Sequence, residues 1–512
     1  MRILTAAQMR ALDRATMDIG IPGLILMETA AARCVEYISE HFGPVRAQRI
    51  AVVCGKGNNG GDGLAIARQL HVRHNPAALH VILACDPVEL SGDAAQNLAM
   101  LRASGLTAVR HATPEMASAT LVIDAILGTG TTGPARGEAL DAIRTVNSYF
   151  PSARILSVDL PSGLDADSGA IPGEFVRADA TVTFTAPKPC HVLPPAANHM
   201  GDLKIVPIGS PASLFEHNPE LFLELVTPRH VAPLFAKRPT DSNKGRFGHV
   251  LIVAGSRGKS GAAAMAGLAA LRAGAGLVTV ACPESVLPAI AGYAPELMTE
   301  PLPETASGAL SRHALEKVLE LASTRTVVAA GPGIGLSGDT RELILNLFQA
   351  LPKPLIVDAD ALNCLAGERW SAGPAPRILT PHPGEMGRLT GLAVPEIQTD
   401  RVSSARAFAT EHKVILVLKG ERTVTALGDG RVFINPTGCP ALATAGTGDI
   451  LTGILSGLLA QFPDDPARAA TAAVYLHGLA GELASASLSE QSVIATDLLH
   501  YLHEGIRAIA NN

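Results

Sequence analysis

Residues Arg49–Leu70, RIAVVCGKGNNGGDGLAIARQL, are the stretch that decides the fold. Arg49–Cys54 is a short apolar run with β-branched residues, which predicts a buried strand. Gly55–Gly61 predicts a loop of glycine and asparagine, and Leu64–Leu70 predicts a helix. A strand, a glycine-rich loop and a helix in this order typically place a phosphate or a dinucleotide at the start of the helix.

The same alternation continues through the first half of the chain. Short apolar runs predict strands, and segments with helical spacing separate them. Such alternation predicts an α/β domain with a doubly wound parallel sheet and helices on both faces. The further predicted strands are Leu79–Ala84, Thr120–Asp124, Arg154–Asp159 and Ala180–Thr185, with helices at about 91–103 and 136–147.

Three loops follow strands of this predicted sheet and should meet at its carboxyl edge, where such sheets bind ligands. They are NNGGDG (58–63), DAILGTGTTGP (124–134) and DLPSGLDADSG (159–169). Asn59, Asp124 and Ser162 supply hard oxygens beside glycine backbone, which suits an alkali or alkaline-earth ion. Asp124 and Asp159 could instead cap the turns that follow their strands, and Asp62 could cap a helix.

A proline-punctuated stretch, residues 207–240, interrupts the alternation, and we place a domain boundary near 215–228. Beyond it the alternation resumes and predicts a second doubly wound α/β domain. The strands predicted there are His249–Ala254, Gly276–Ala281, Arg325–Ala330, Leu355–Val357, Ile378–Leu379, Val414–Leu418, Val424–Ala426 and Val432–Ile434. The helices include about 260–273, 446–460, 465–486 and 495–509.

The tetrad Gly446-Thr447-Gly448-Asp449 ends a turn-rich loop and leads directly into an apolar helix. Free N–H groups and the positive end of the dipole make such a helix start a good phosphate site. A carboxylate there repels a phosphate unless it has a task, such as taking a proton from a substrate hydroxyl. Asp449 could alternatively do no more than cap the helix.

Several other strand ends carry candidate site residues. His382 lies between two prolines at a strand end, which favours ligand contact over a place in the core. Lys419, also at a strand end, could reach a nucleotide phosphate. Asp358 and Asp360 could hold a magnesium ion through water, but we favour a role in capping the next helix. Gly255–Gly261, GSRGKSG, lacks the spacing of a Walker A loop.

The composition narrows the class of protein. A chain of 512 residues is longer than one core normally serves, so two or more domains are expected. The net charge of −6 and the aromatic content of 4% argue against a nucleic-acid partner. The seven cysteines include no CxxC pair, and no apolar run is long enough for a membrane span. We therefore expect a soluble cytoplasmic protein that binds small molecules and has no membrane partner, and its helices rich in small residues are compatible with a homo-oligomer.

KGNNGGDG, DAILGTGTTGP and DLPSGLDADSG together resemble the epimerase domain of the NAD(P)H-hydrate repair enzymes, which is Rossmann-like, over residues 1–215. The resemblance implies that Asp159 contacts the hydrated nicotinamide and transfers a proton. It also implies that Asn59, Asp124 and Ser162 hold a potassium ion. The remaining substrate-binding residues that it implies are Asn58, Asn59, Gly60, Gly61, Asp62, Gly128, Thr129, Gly130, Thr131, Thr132, Gly133 and Pro134.

Residues 228–510 resemble the ADP/ATP-dependent NAD(P)H-hydrate dehydratases, which have the ribokinase-like fold. The motifs are NKGRFGHV, GPGIG, TPHPGE, KGERT and ATAGTGDILTG. The resemblance implies that Ala262, Gly333, His382 and Asp449 contact the hydrate. It implies that Lys419, Gly420, Glu421, Arg422, Thr423 and Gly448 bind ADP or ATP, with Mg²⁺. Cys439–Leu442 departs from the family pattern, in which an Asn-Pro-Gly-Met-like run is expected.

The two resemblances imply a bifunctional enzyme that repairs hydrated NADH and NADPH. The first domain would interconvert the R and S hydrates, and the second would dehydrate the S hydrate at the expense of a nucleotide, with ADP as the expected donor. Two alternatives stay open. One is a ribokinase-like kinase of a vitamin-precursor alcohol, and the other is a chain whose first domain binds a ligand without turnover.

Overall fold

The computed structural model describes residues 1–216, 218 and 220–511. The chain divides into two compact units, Met1–Leu221 and Phe222–Asn512. The division falls inside the proline-punctuated stretch of the sequence. The second unit begins before residue 228, because a short strand at Leu223–Leu225 already pairs with its sheet.

The first unit contains one parallel sheet with helices on both faces. Its strand order is β3-β2-β1-β4-β5-β6-β7. Strand order reverses between β1 and β4, and their carboxyl ends therefore flank the crevice where doubly wound sheets bind ligands. The helices are α1 (Ala6–Asp18), α2 (Gly23–His41), α3 (Asn58–His74), α4 (Gly92–Ala103), α5 (Gly137–Ser148) and α6 (Pro189–Val192); the strands are β1 (Arg49–Cys54), β2 (Ala78–Leu83), β3 (Ala108–Val109), β4 (Leu121–Ala125), β5 (Arg154–Val158), β6 (Ala180–Phe184) and β7 (Asp202–Val206).

Helix α3 begins earlier than the sequence predicts. It starts at Asn58, so that Gly60, Gly61 and Asp62 lie in its first turns and not in a loop, and Asp62 does not cap it. Close packing explains the glycines. A Cβ at Gly60 would lie 1.8 Å from the carbonyl oxygen of Gly55, and one at Gly61 would meet the Met27 side chain at 2.8 Å. The helix start is thereby pressed against the end of β1.

The second unit contains a sheet with strand order β11-β10-β9-β12-β13-β14-β15-β16-β17-β8. The first seven strands in this order, β11 through β15, run parallel to one another. Strand β16 is antiparallel to both of its neighbours, β15 and β17. The strands are β8 (Leu223–Leu225), β9 (His249–Val253), β10 (Leu277–Pro283), β11 (Met298–Leu302), β12 (Val327–Ala330), β13 (Leu355–Val357), β14 (Arg377–Leu379), β15 (Ile415–Leu418), β16 (Val424–Ala426) and β17 (Val432–Ile434).

The helices of the second unit cover both faces of this sheet. They are α7 (Pro228–Val231), α8 (Ser260–Arg272), α9 (Leu287–Ala291), α10 (Leu315–Ser323), α11 (Gly338–Ala350), α12 (Asp360–Leu365), α13 (Pro383–Thr390), α14 (Val394–Thr399), α15 (Arg401–His412), α16 (Thr447–Gln461), α17 (Pro466–Leu488) and α18 (Ala495–Ala510). The sequence predicts neither β8 nor β11 here, and neither β3 nor β7 in the first unit. Polar and exposed positions interrupt the apolar pattern in β7 and β11.

Helix α16, which carries the GTGD tetrad, packs closely on α8. A Cβ at Gly453 would lie 2.2 Å from Ala266 O, and one at Gly457 would lie 2.5 Å from Ala270 O. Only glycine permits this backbone approach. The small residues of both helices thus fix the start of α16 against the sheet. In the described part of the chain, no helix is both long and apolar enough to cross a membrane.

Candidate active sites

The first unit holds a cavity of ≈ 750 Å³ at the carboxyl ends of β1 and β4. Its wall includes eight residues that the sequence singles out, namely Asn58, Asn59, Asp62, Gly128, Thr129, Gly130, Thr131 and Asp159. The fold therefore brings together all three predicted loops. Gly60 and Gly61 lie beneath this wall as packing glycines. Thr132, Gly133 and Pro134 are exposed and are not part of the cavity wall.

A buried ion pair lies in this wall. Lys188 is fully buried, and its Nζ donates to Asp159 Oδ1 at 2.6 Å, to Thr183 Oγ1 at 2.8 Å and to Phe184 O at 3.4 Å. Burial raises the pKa of Asp159, but Lys188, His191 and Thr183 more than offset this, so that the pKa lies below its ordinary value. Asp159 is thus a carboxylate at neutral pH.

The backbone of Asp159 is held in a strained conformation. Its φ of 69° is left-handed, which costs a non-glycine residue about 1–3 kcal/mol. The Asp159 N–H donates to Val182 O at 2.8 Å. His191 Nδ1 accepts from Lys188 N, so Nε2 must carry the proton that it donates to Asp159 O at 2.9 Å. The Oδ2 atom of Asp159, for which the described residues supply no hydrogen-bond donor, lies 3.5 Å from the position that a Cβ on Gly128 would take.

A second buried carboxylate, Asp124, lies behind the same loops. Its oxygens accept from Ser162 Oγ at 2.5 Å, Ser162 N at 2.9 Å and Ser157 Oγ at 2.8 Å. It also accepts from Ile126 N at 3.3 Å, as the capping alternative predicts. Burial raises the pKa of Asp124 despite these bonds. Asn59 donates to Leu127 O at 2.9 Å, and its Oδ1 is buried with no hydrogen-bond partner among the described residues.

Two residues of the first site escape the sequence analysis. Lys188 follows β6 directly and could have been found as one more polar residue at a strand end. Asp13 lines the cavity from α1, together with Met9, Arg10 and Met17 of the same helix. Its position within an apolar helical pattern gave no signal.

In the second unit, the GTGD tetrad forms the loop end and first turn of α16. Gly446 is the N-cap, with φ of 95°, and a Cβ there would meet Met265 Cε at 2.7 Å. Thr447 Oγ1 donates to Leu442 O at 2.9 Å and to Thr444 O at 3.0 Å. His477 Nε2 lies 2.9 Å from Thr447 O. The Cys439–Leu442 run, which forms a 3₁₀ turn at Pro440–Leu442, thus helps to anchor the tetrad.

A charged cluster lies under the tetrad. Asp358 is buried, and its carboxylate accepts from Lys419 Nζ at 2.8 Å, Thr380 Oγ1 at 2.8 Å and Thr452 Oγ1 at 2.7 Å. Asp360 accepts from Gly335 N at 2.9 Å and Lys259 Nζ at 3.0 Å. The expected capping role of both aspartates is wrong, because α12 has no side-chain cap.

Asp449 is the third carboxylate of this cluster. It lies in the first turn of α16, and no group in the described part of the chain donates a hydrogen bond to it. Burial, followed by repulsion from Asp358, raises its pKa to about 7, although Lys419 opposes this. Capping is therefore not its role. A Cβ on Gly448 would lie 3.5 Å from Lys419 Nζ, so Lys419 reaches the backbone of the tetrad.

The four residues predicted to contact the hydrate fall on separate elements of this unit. A Cβ on Gly333 would lie 3.2 Å from the Cβ of Ala262, so these two are neighbours. His382 is the N-cap of α13, and its half-exposed ring lies with Nε2 3.5 Å from Glu385 Oε1. Burial raises the pKa of Glu385 to about 7, and its Oε2 lies 3.8 Å from Lys419 Nζ. Glu385 links His382 to the lysine.

The KGERT loop is held by an arginine that the sequence analysis missed. Arg401 Nη2 donates to Leu418 O at 2.9 Å and to Lys419 O at 3.2 Å, and its Nη1 donates to Glu421 O. Gly420 has φ of 144°, and its Cβ would lie 2.9 Å from Arg401 Nη2. Thr423 Oγ1 closes the turn onto Gly420 O at 3.0 Å. Arg422 Nη1 donates a hydrogen bond to Pro436 O at 2.5 Å.

Family models match both units of the chain. Residues 23–190 match the model described as YjeF-related protein N-terminus. Residues 250–504 match the model described as NAD(P)H-hydrate dehydratase. The two matches include the three predicted loops of the first unit and the GTGD tetrad of the second.

Curated relatives match over nearly the whole chain. The bifunctional NAD(P)H-hydrate repair enzyme Nnr of Moorella thermoacetica is 43% identical, with 98% of this chain and 96% of the relative covered. The enzyme of the same name from Thermofilum pendens is 38% identical, with 99% of this chain and 97% of the relative covered. A crystal structure of the ADP/ATP-dependent NAD(P)H-hydrate dehydratase from Bacillus subtilis, co-crystallised with ATP/Mg²⁺, is 35% identical. It superimposes with a TM-score of 0.50 and covers 56% of this chain and 98% of that one.

Proposed function

The chain belongs to the family of bifunctional NAD(P)H-hydrate repair enzymes, and we propose from this how the residues of its two sites divide the repair. The enzyme interconverts the R and S hydrates of NADH and NADPH. It dehydrates the S hydrate to the reduced cofactor at the expense of ADP or ATP. This membership, over nearly the full length, argues against a kinase of a vitamin-precursor alcohol and against a first domain without turnover.

The cavity of the first unit is our candidate for the epimerase site. Its volume, ≈ 750 Å³, is in the range of cavities that enclose small-molecule ligands. We assign proton transfer to Asp159, because Lys188 keeps it ionised and no described residue donates a hydrogen bond to its Oδ2 atom. Asn58, Asn59 and the Gly128–Thr131 loop would orient the hydrated ring against this carboxylate.

A potassium ion fits the oxygens behind this cavity. Asn59 Oδ1 is buried and unpartnered, and the Asp124 carboxylate is buried with no cationic side chain paired to it in the described residues. Ser162 Oγ adds a third hard oxygen beside them. These ligand types suit an alkali cation, which would stabilise the Asp124 charge and the loops that carry the three residues. The ion would thus organise the site rather than take part in proton transfer.

Asp449 is our candidate for the base of the dehydratase, and its environment is the observation that carries the mechanism. A pKa of about 7 lets the carboxylate accept a proton near neutral pH, and it accepts no competing hydrogen bond in the described part of the chain. As Asp449 takes the proton of the hydrate hydroxyl, that oxygen bonds to the terminal phosphorus of the nucleotide. AMP leaves from ADP, or ADP from ATP. Loss of phosphate from carbon and of a proton from its neighbour then restores the ring double bond.

The backbone N–H groups of the tetrad and Lys419 would receive the transferring phosphoryl group. Such fixed donors stabilise the charge of the transition state without reorganising. Lys419 is oriented by Asp358 and held at the loop by Arg401, so that its charge faces Gly448. The KGERT loop, with Gly420 and its neighbours, would bind the rest of the nucleotide.

Mg²⁺ would enter with the nucleotide and would find a hard carboxylate oxygen, through water, at Asp360. Asp360 fits the ion because its hydrogen bonds from Gly335 N and Lys259 Nζ in the described residues both go to Oδ2, which leaves Oδ1 for a water molecule of the ion. Bound there, the ion would neutralise charge on the transferring phosphoryl group. Gly333, Ala262 and His382 would hold the hydrate against the same centre.

The direct test is to incubate the purified chain with the S hydrate and either nucleotide. We expect the near-ultraviolet absorbance of the reduced nicotinamide to return, with one nucleotide consumed per hydrate. The R hydrate should be repaired as well, but only as fast as the first unit converts it. A chain that phosphorylates a small alcohol stoichiometrically, with no return of the reduced cofactor, would refute the proposed function.

A further inference from the structure

A further aspartate, contributed by helix α1, lines the cavity of the first unit. Asp13 lies on α1 and lines the same wall as Asp62 and Asp159. Its Oδ1 atom is buried and has no hydrogen-bond partner in the described part of the chain. A buried, unsatisfied carboxyl oxygen costs stability, so a group kept in this state invites a functional explanation.

Lys188 does not neutralise Asp13 directly. Its ammonium group has three N–H donors, and Asp159, Thr183 and Phe184 O accept from them. Burial raises the pKa of Asp13, and the charge of Asp159 adds to this although Lys188 opposes it. The cavity therefore holds a carboxylate at Asp159, whereas at Asp13 the protonated form is more favourable than in an ordinary aspartate. Paired groups with pKa values pushed apart are the usual arrangement for an acid and a base.

Epimerisation of the hydrate requires both an acid and a base. The hydroxyl and the ring nitrogen are attached to the same carbon of the hydrate. When an acid protonates the hydroxyl, the carbon–oxygen bond breaks, water leaves, and the nitrogen lone pair forms a carbon–nitrogen double bond. Water then adds to the opposite face of that carbon, the nitrogen recovers its lone pair, and a base takes the proton from the added water. No oxidant or reductant is needed, but one group must donate a proton and another must accept one.

We propose that Asp13 is a catalytic residue of the epimerase and forms an acid–base pair with Asp159 across the hydrated ring. Asp13 donates the proton that releases water, and Asp159 accepts the proton of the water that returns. In the reverse direction the two exchange roles. The inference rests on the epimerase function proposed above, and it adds a residue from α1, which lies outside the three glycine-rich loops.

The test compares Asp13→Asn with Asp18→Asn in the full chain. Asp18 is an exposed residue of the same helix and is not part of the cavity wall. Starting from pure R hydrate, the approach to the mixture of epimers is followed chromatographically. We expect Asp13→Asn to lower kcat for exchange about 100-fold or more with little change in KM, since general acid–base groups contribute roughly 10²–10⁴-fold. Asp18→Asn should match the parent, and Asp13→Glu should recover part of the rate.

The route is tested in water enriched with oxygen-18. The parent should incorporate one labelled oxygen per epimerisation event, and Asp13→Asn should lose labelling and exchange together. Epimerisation without label, or an Asp13→Asn rate within about threefold of the parent with unchanged labelling, would overturn the inference. A parent that exchanges no epimers would instead show that the epimerase function itself is wrong. Dehydration of S hydrate should be the same in all variants and reports the amount of active chain.

Discussion

Replacing Asp449 with asparagine should abolish dehydration and yet stabilise the second unit above neutral pH. The ordinary pKa of an aspartate, 3.8, rises to about 7 at this position. A difference of about three pKa units corresponds to about 4 kcal/mol against the ionised form in the folded state. Because the side chain is partly exposed, water reduces this penalty. We therefore expect Asp449→Asn to raise the free energy of unfolding by about 1–2 kcal/mol above neutral pH.

The sign follows from the two protonation states. Below pH 3.8 the carboxyl is protonated in both the folded and the unfolded chain, so that its contribution to the free energy of unfolding is unaffected by pH. Between that pH and about 7 the unfolded chain ionises first, and stability is lost until the folded group ionises as well. Asp449→Asn removes this loss, so its advantage over the parent should be larger at pH 8 than at pH 5.

The only tryptophan of the chain makes the measurement specific to the second unit. Trp370 Nε1 donates to Leu365 O at 3.1 Å, and its ring lies edge-to-face with that of Phe348, with 5.0 Å between the ring centroids. Because unfolding breaks both contacts, the fluorescence of Trp370 should change. Urea titrations at pH 5 and pH 8 would give the free energy of unfolding for parent and variant. The exposed pair Asp429–Arg431 supplies the control, because Asp429→Asn removes a carboxylate with a lowered pKa and should stabilise at neither pH.

The same carboxylate should control the activity of the parent. If Asp449 is the base, kcat/KM for dehydration should rise with pH through an apparent pKa near 7 and then level off. At pH 8, Asp449→Asn should lower kcat/KM at least about 100-fold while epimer exchange continues, and its rate should not show the rise through pH 7. A variant that dehydrates at the parental rate, or that is less stable than the parent at pH 8, would refute this account of Asp449.

Three further predictions concern residues around the two sites. Lys188→Met leaves the buried carboxylate of Asp159 unpaired, so we expect the free energy of unfolding, measured by circular dichroism, to fall by about 3–5 kcal/mol. Epimer exchange, measured by chromatography, should be lost as well, and unchanged exchange would contradict this prediction. Potassium chloride, compared with sodium chloride at equal ionic strength, should raise the Tm of the first unit in the parent but not in Asn59→Ala; equal shifts would count against the cation site. Arg401→Ala should raise KM for the nucleotide at least about tenfold, because it frees the carbonyls of the KGERT loop, whereas Arg406→Ala on the same helix should not; equal effects would argue against a specific role.

The strand-and-loop framework could be predicted from the sequence because it depends on local pattern. Arg49–Cys54 is a strand with the predicted bounds, and the strand predicted at Leu79–Ala84 lies at Ala78–Leu83. The start of α3 could not be predicted in the same way, because glycine is a poor helix former. Tertiary packing outweighs the local propensity here, because the backbone of Gly55 approaches Gly60 closely and the Met27 side chain packs against Gly61.

The role of a residue cannot be predicted from the local sequence when its partners are distant in the chain. The two carboxylates of the DAD sequence were expected to cap the next helix, a local role. In the structure Asp358 binds Lys419 and Thr452, 61 and 94 residues away, and only the assembled sheet brings these groups together. Lys188 likewise meets Asp159 across 29 residues of chain. The sequence indicates which residue types are present at strand ends, whereas their charges and roles depend on such pairings.

The most direct test of the central claim is one assay on the full chain, with ADP and ATP side by side and with each epimer as substrate. We predict that the S hydrate returns the reduced cofactor with either nucleotide. The R hydrate should do so only while epimer exchange is intact, and Asp449→Asn should exchange epimers without returning any reduced cofactor. If the parent restores no reduced cofactor from the S hydrate with either nucleotide, the account is contradicted.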